Sequence, residues 1–297
     1  MKTNKNILKM KLIIFLLTIS TALFAQDSTQ TAPVNKEQIK STFENGVLIN
    51  NQTVESLRQN SLEIMIQHRF GVIFNNDDLY GIFAPSNIRL GVGYGITKNF
   101  SAGFGVIKNK RLYELEGKYV VLRQTTHKMP VTVSAYGNIA RSALPEADFL
   151  NQESKYYKTN RLEYLGELMI ARKINRHLSV QLAGSYTHIN LVDTLMRHDI
   201  IGASFAGRYK FSPQSSVMLE FDYPITLHQV SADLPSTFQQ KPNLGIGYEC
   251  STGSHQFQIF VCTSEAIAYS QIMAYNQNDF TKRQVLIGFN ITREWGF

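Results

Sequence analysis

The last fifteen residues, 283–297, alternate strictly between two kinds of side chain. One parity carries bulky apolar residues, and the other is mostly small or polar: the apolar set is Val285, Ile287, Phe289 and Ile291. A period of two predicts a β-strand. One apolar face of about ten residues followed by aromatic rings is typical of the closing strand of a membrane β-barrel, because lipid contacts that face and the rings lie at the headgroups. The alternative is an ordinary terminal strand of a soluble sandwich.

This C-terminal pattern also predicts an assembly signal for the bacterial barrel-assembly machinery, which tends to recognise an aromatic terminus. The residues assigned to it are Phe289, Ile291, Trp295 and Phe297.

Eleven further alternating segments precede the terminal one, and charges interrupt every apolar run. They cover residues 61–70, 87–97, 100–107, 112–122, 131–140, 161–171, 178–188, 200–211, 217–223, 243–250 and 255–263. About twelve strands result, an even number, as single-chain bacterial barrels require when both termini are periplasmic. The predicted fold is all-β: a closed antiparallel transmembrane β-barrel over residues 60–297.

The connections between these segments alternate in length. The short ones are rich in turn-forming residues and cover 97–99, 125–129, 175–176, 212–215 and 252–254. The long ones cover 73–86, 141–160, 190–199, 225–242 and 265–282, and only the link near Asn109 breaks the order. Membrane barrels have short periplasmic turns and longer outer loops. A soluble sandwich has no reason to sort its loops in this way.

The N-terminus predicts export. Four lysines precede an apolar run at residues 12–19, and a small residue, Ala25, follows. This pattern predicts a signal peptide over residues 1–25, cleaved after Ala25. A retained membrane anchor is the alternative, but the run is shorter than the roughly twenty residues that span a bilayer. Removing four lysines lowers the net charge of +7 to 7 − 4 = +3, so a nucleic-acid partner is not indicated.

Residues 26–59 are predicted to be periplasmic, first as a polar leader and then as a segment with an apolar cluster at residues 47–49. Four glycines are predicted to face each other and the lumen in two pairs, Gly91 with Gly105 and Gly93 with Gly103, leaving a groove. We hypothesise that residues 42–57 fold against the periplasmic mouth near this groove and restrict flow. Alternatively, the glycines only relieve barrel curvature.

Charged residues of both signs share the inward parity and are predicted to line the lumen. They are Arg69, Arg89, Glu114, Glu116, Lys118, Glu163, Glu167, Arg208, Lys210, Glu220, Asp222 and Glu249. With a turn at residues 212–216, Arg208 should face Glu220 directly across the hairpin. Structural ion pairing in a filled lumen and a selective pore both remain open.

The remaining chemistry is sparse. No two histidines have a metal-binding spacing, and neither a cofactor nor an enzymatic activity is expected. Cys250 and Cys262 lie on opposite parities of neighbouring strands, which predicts that they are unpaired.

Several segments also resemble a family of uncharacterised outer-membrane proteins described only as a β-barrel domain of unknown function. They are residues 87–97, 122–126, 130–138, 168–173, 205–211, 254–264 and 287–293. The resemblance implies a barrel in the cell outer membrane and brings no catalytic residues. Arg293, on the lipid-facing parity, departs from an all-apolar last strand.

Two function classes follow. The first is a channel or transporter for small solutes with a partly occluded lumen, and the second is a non-conducting barrel that acts as a scaffold or receptor. The expected partners are the outer-membrane bilayer, the barrel-assembly machinery and an unidentified small solute.

Overall fold

The computed structural model describes residues 39, 41–73, 79, 81–150, 155–192, 196–225 and 240–297. The predicted signal peptide with its cleavage site at Ala25, and nearly all of the polar leader, lie outside the described residues. Within the described part of the chain, no helix combines the length and the apolar character needed to cross a bilayer.

Twelve strands of the described chain form a closed antiparallel barrel, which confirms the predicted fold. They are β3 (Ser61–Val72), β4 (Asn87–Gly95), β5 (Phe100–Ile107), β6 (Leu112–Leu122), β7 (Thr132–Ser142), β8 (Leu162–Lys173), β9 (Leu178–Ile189), β10 (Asp199–Lys210), β11 (Ser215–Ile225), β12 (Asn243–Thr252), β13 (His255–Cys262) and β14 (Leu286–Gly296). Each strand pairs with the next, and β14 closes the barrel on β3. Lengths of 8–12 residues are close to the roughly 9–11 that a tilted strand needs to span a bilayer.

The outward parity is mostly apolar, with few exceptions such as His68 and Arg293. Leu115, Leu182 and Ile259 have exposed fractions of 63%, 58% and 57%. Aromatic residues cluster toward the strand ends, as with Phe211 and Tyr248, whose ring centroids are 6.3 Å apart. This surface suits lipid, and it follows directly from the alternation in the sequence.

The hairpin of β10 and β11 corrects one predicted contact. Arg208 lies opposite Met218, and Glu220 lies opposite Ala206, so Arg208 and Glu220 do not face each other. The turn is one residue earlier than predicted, because the Ser212 hydroxyl accepts the main-chain N–H of Ser215 at 3.0 Å and the return strand begins there.

The glycine register is confirmed: Gly91 lies opposite Gly105, and Gly93 lies opposite Gly103. Side chains cover most of the predicted groove, however, and leave a cavity of only about 50 Å³ beside Gly91, Gly93 and Gly103. A Cβ at Gly105 would come within 2.9 Å of Nη2 of Arg89 and 2.8 Å of Oε1 of Glu114. These glycines therefore give space to an ion pair that lies flat on the wall.

Both cysteines are free, as predicted. Cys250 lies on the outward parity of β12, and Cys262 is buried on the inward parity of β13.

Two pieces of chain occupy the lumen. The first, which we call the N-terminal plug, is residues 42–57. It contains a small hairpin of β1 (Val47–Leu48) and β2 (Asn51–Gln52). The second is the helix α1 (Tyr269–Tyr275), in the connection between β13 and β14. Apolar residues of the plug, of α1 and of the inner wall share one buried cluster, which includes Leu48, Ile272 and Met169.

Candidate functional site: the occupied lumen

The tip of the plug lies against charged side chains of the barrel wall. At Asn50, the main-chain N–H and the side-chain Nδ2 donate to the two carboxylate oxygens of Glu220, at 2.8 and 2.5 Å. The side-chain Oδ1 of the same residue accepts from Nε and Nη2 of Arg69, at 3.1 and 2.9 Å. Next to it, Nδ2 of Asn51 donates to Asp222 at 2.7 Å. The tip therefore meets wall charges of both signs.

The main chain of the plug is held by neutral polar residues of the wall. Gln258 donates to the carbonyl of Val47 at 3.0 Å, and Gln181 donates to the carbonyl of Gln52 at 2.7 Å. The hydroxyl of Ser134 donates to the carbonyl of Val54 at 2.6 Å. Buried main-chain groups need such partners, since an unpaired one would cost stability. The wall thus replaces the hydrogen bonds that water would make.

The base of the plug carries its charged residues. Glu44 accepts from Lys210 at 2.7 Å and from Arg208 at 3.2 Å. Burial raises the pKa of Glu44, but the hydrogen bond from Lys210 and the nearby positive charges outweigh it, so the pKa is lowered from its ordinary value of 4.5. Burial raises the pKa of Glu55, although the main-chain N–H groups of Thr42 and Phe43 oppose this.

The plug joins the barrel beside the glycine pairs. The side chain of Leu57 lies so close to Gly93 that a Cβ there would come within 2.8 Å of it. Lys118 donates to the carbonyls of Gly46 and Glu55, at 2.8 and 3.0 Å. The hypothesis placed residues 42–57 at the periplasmic mouth; the structure places their tip deeper, beside Glu220 at the middle of β11, because the wall offers hydrogen-bond partners there.

The helix α1 closes the lumen from the side of the long connections. Glu163 accepts from Ser270 and Gln271, each at 2.8 Å. The ring of Tyr269 packs edge-on against Tyr136, with centroids 5.6 Å apart. The sequence predicts a long outer loop over residues 265–282, and nothing in its pattern indicates that part of this loop folds inward.

The twelve residues predicted to line the lumen all lie on the inward parity. Nine are buried, whereas Glu116, Glu167 and Lys210 are partly buried. The structure brings some together: Arg89 pairs with Glu114 and Glu116, and Arg208 pairs with Glu249 two strands away at 2.6 Å. Asn243 bridges Glu220 and Asp222 through its Nδ2, at 2.8 and 2.7 Å.

The wall also has neutral polar members that the charged-residue pattern did not predict. Among them are Gln181, Gln258, Asn243 and Asn290, all buried. Their inward parity in the sequence is the signal that identifies them.

The predicted assembly-signal residues lie on the outward parity of β14. Phe289 stacks on His68 with centroids 5.1 Å apart, and Arg293 lies over the ring of Trp295 at 4.6 Å. Phe297 is 84% exposed, and its N–H donates to the carbonyl of Asn60 at 3.0 Å. Their role in assembly stays a prediction.

The free space in the described structure is unequal at different depths. A cavity of about 50 Å³ lies between the plug, α1 and the glycine pairs of the wall, which leaves room for a few water molecules. Cavities of about 630 and 410 Å³ lie among the long connections. Within the described residues, no group of three or more His, Cys, Asp or Glu side chains could hold a metal ion.

Residues 43–295 match the family described as "Membrane bound beta barrel domain (DUF5777)". The chain belongs to this family. The family is thus the one that the sequence resembles, and with its closed barrel and apolar outer face the protein is an outer-membrane protein. No curated protein matches the chain significantly.

Among solved structures, the chain is similar in fold to the NanC porin, with a TM-score of 0.48 and 8% sequence identity. The match covers 80% of this chain and 100% of that chain. The KdgM porin gives a TM-score of 0.45 and 9% identity over 80% and 99% of the two chains. The TodX monoaromatic hydrocarbon channel (deltaS2 mutant) gives 0.40 and 11% over 82% and 91%.

Proposed function

We propose that the protein is an outer-membrane channel for small solutes, and that the N-terminal plug and α1 close it in the described state. The observation that carries this proposal is the way in which the plug is attached. Its tip and base are bound by hydrogen bonds and ion pairs to polar wall residues, as at Glu220, Arg69 and Lys210. Contacts of this kind can be exchanged for contacts with water, at a net cost of about 1.5–3 kcal/mol for each hydrogen bond to a charged group.

The wall does not depend on the plug for its closure. The twelve-strand ladder closes through β14 and β3 without a plug strand, and the pairs Arg89–Glu114 and Arg208–Glu249 join wall residues to each other. If the plug withdraws and α1, which packs in the same buried cluster, moves aside with it, the barrel keeps its complete ladder and a polar, charged interior, which is the kind of surface that conducts hydrated solutes.

A reversible crosslink tests the proposal in the full chain. The hydroxyl oxygens of Thr42 in the plug and Thr132 on β7 are 3.5 Å apart. We expect that T42C/T132C, in a C250S/C262S background, forms a disulfide that fastens the plug at both ends. Oxidised protein in a planar bilayer should stay closed, and reduction should allow openings.

The single variants T42C and T132C, in the same background, are the matched controls and should not respond to reduction. If oxidised and reduced forms conduct equally, the plug is not the gate. If the protein inserts but conducts in no state, the channel proposal fails and the scaffold or receptor alternative is favoured.

A further inference from the structure

The carboxamide of Asn50 bridges two opposite charges of the wall. Its oxygen accepts from Arg69, while its nitrogen, with the main-chain N–H, donates to both oxygens of Glu220. Both wall side chains are fully buried. The plug tip therefore lies where a molecule with an acceptor at one end and donors at the other would bind.

Arg69 differs from Arg89 and Arg208 in the partners of its guanidinium. The described acceptors of its guanidinium are uncharged oxygens of Asn50, Ile49, Asn290, His68 and Phe289. Arg89 and Arg208, by contrast, bind carboxylates of the wall directly. A buried charge without a charged partner is costly, so Arg69 would gain from a carboxylate in the position of the Asn50 oxygen.

The opposite side of the site needs donors. Without the plug, Glu220 loses two N–H donors and Asp222 loses one, although Asn243 still donates to both. Two neighbouring carboxylates favour a cationic donor such as an ammonium group. With Arg69 counted, the three formal charges sum to −1, which opposes a simple anion.

We propose that this site, formed by Arg69, Glu220 and Asp222, binds a small zwitterion of the amino-acid class, and that Asn50 occupies the site in its absence. The solute carboxylate takes the position of the Asn50 oxygen on Arg69, and its ammonium group takes the position of the N–H groups on Glu220. An α-amino acid can contact both wall groups as Asn50 does. Its nitrogen and carboxyl carbon are only about 2.5 Å apart, and the Asn50 oxygen and nitrogen that they replace belong to a single carboxamide. This inference rests on the proposed function.

Free space lies next to the site, on the side of the long connections. Arg69 contributes to the lining of the 410 Å³ cavity, together with Asn87, Lys108 and Glu265. Because the Arg69 side chain is fully buried, a solute in this cavity would reach the guanidinium only as the plug withdraws, in competition with Asn50.

The test uses the full chain in planar bilayers and three probes of similar size: alanine, lactate and glycerol. Alanine and lactate differ in one group, because lactate has a hydroxyl where alanine has an ammonium. We expect alanine to raise the open probability by about tenfold at roughly ten times its Kd for the open form, since a ligand of one state shifts the equilibrium by 1 + [L]/Kd. Lactate and glycerol should leave it unchanged.

Variants assign the effect to the site. N50A should raise the open probability without any probe, by roughly tenfold or more, because Arg69 and Glu220 lose hydrogen bonds to the plug. Q52A is its matched control, since the described hydrogen bond of Gln52 uses the main-chain oxygen. E220Q should abolish the alanine response, whereas E249Q, which alters a carboxylate paired with Arg208, should retain it.

The outcomes separate the two proposals. Openings that follow reduction of T42C/T132C but do not respond to alanine overturn the amino-acid site and leave the channel intact. An equal response to alanine, lactate and glycerol, or an equal loss in E220Q and E249Q, also overturns it. A protein that never conducts overturns the channel and this inference together.

Discussion

The two faces of the barrel wall are built from the same strands but work in different ways. On the outer face, residues such as Leu115 and Ile259 contribute only apolar surface for lipid, and another apolar side chain would do the same. On the inner face, each position has its own partner, as when Arg89 binds Glu114 or Gln258 binds the plug. A face that touches lipid needs only a composition, whereas a face that touches protein needs particular residues.

The largest expected effect concerns the C-terminal aromatic residues, which lie on the outer face although we expect particular side chains to be needed there. Trp295 and Phe297 lie on the outward parity, yet we propose that assembly depends on them. Deleting residues 295–297 removes the last rungs of the β14–β3 seam and the bond from Phe297 to Asn60, so most of the protein should remain in the periplasm. Fractionation of cell membranes measures this. F297Y should insert normally while F297A should not, and normal yield of the truncated chain would exclude the signal.

Two arginines compare the faces directly. R89M leaves Glu114 and Glu116 buried near each other without their cation, and breaking such a network should cost about 3–5 kcal/mol of unfolding free energy. R293M on the outer face removes a contact with the Trp295 ring, which is worth about 0.5–1 kcal/mol. Denaturant unfolding in detergent or lipid gives both values. Similar losses would contradict the contrast between the faces.

Gly105 on the inner face and Gly166 on the outer face allow the same comparison with a single added methyl group, and we expect a smaller effect. In G105A, the new methyl group would meet Glu114 and Arg89 at less than 3.0 Å, so we expect a loss of about 1–3 kcal/mol from overpacking. In G166A, which points outward, nothing lies within 4 Å of the new Cβ. G166A should therefore change the unfolding free energy by less than about 0.5 kcal/mol. A harmless G105A would show that the glycine pairs are not needed for the ion pair.

Acidification should change the docking of the plug through Glu55 and Glu44, with effects of opposite sign. Because the pKa of Glu55 is raised in the docked plug, its protonation favours docking as the pH falls from that raised value toward 4.5. Because the pKa of Glu44 is lowered, its ion pairs favour docking above 4.5 and are lost as the pH falls through the lowered value. Open probability should thus fall first and then rise.

Single substitutions separate these two limbs. E44Q should remove the rise at low pH, and E55Q should remove the initial fall. A profile that is identical in both variants and the unchanged chain would show that neither residue reports plug docking.

The sequence predicted the features that depend on periodicity. Strand number, strand order, the two faces and the pairing of Gly91 with Gly105 all follow from a period of two and from short turns. The error at Arg208 arose from one side chain, Ser212, which set a tighter turn than residue type alone indicated. Register of this kind depends on a local hydrogen bond, and periodicity contains no information about it.

The lumen contents were only partly predictable. The apolar residues 47–49 precede the first barrel strand and have no lipid to contact, which indicated an obstruction. Its depth could not be deduced, because the partners of the plug tip on β11, β13 and β14 are 170 or more residues away, and only Arg69 on β3 is near in sequence. The inward folding of α1 depends in the same way on Glu163, more than a hundred residues upstream.

The sequence distances within the plug site have a consequence for biogenesis. Asn50 binds Glu220 across 170 residues, and the carbonyl of Ile49 binds Asn290 across 241 residues. The plug, although synthesised before every wall strand, has no complete site until the final strand is in place. Its docking can therefore be complete only once β14 is in place, so the part of the chain that is made first is among the last to reach its final position.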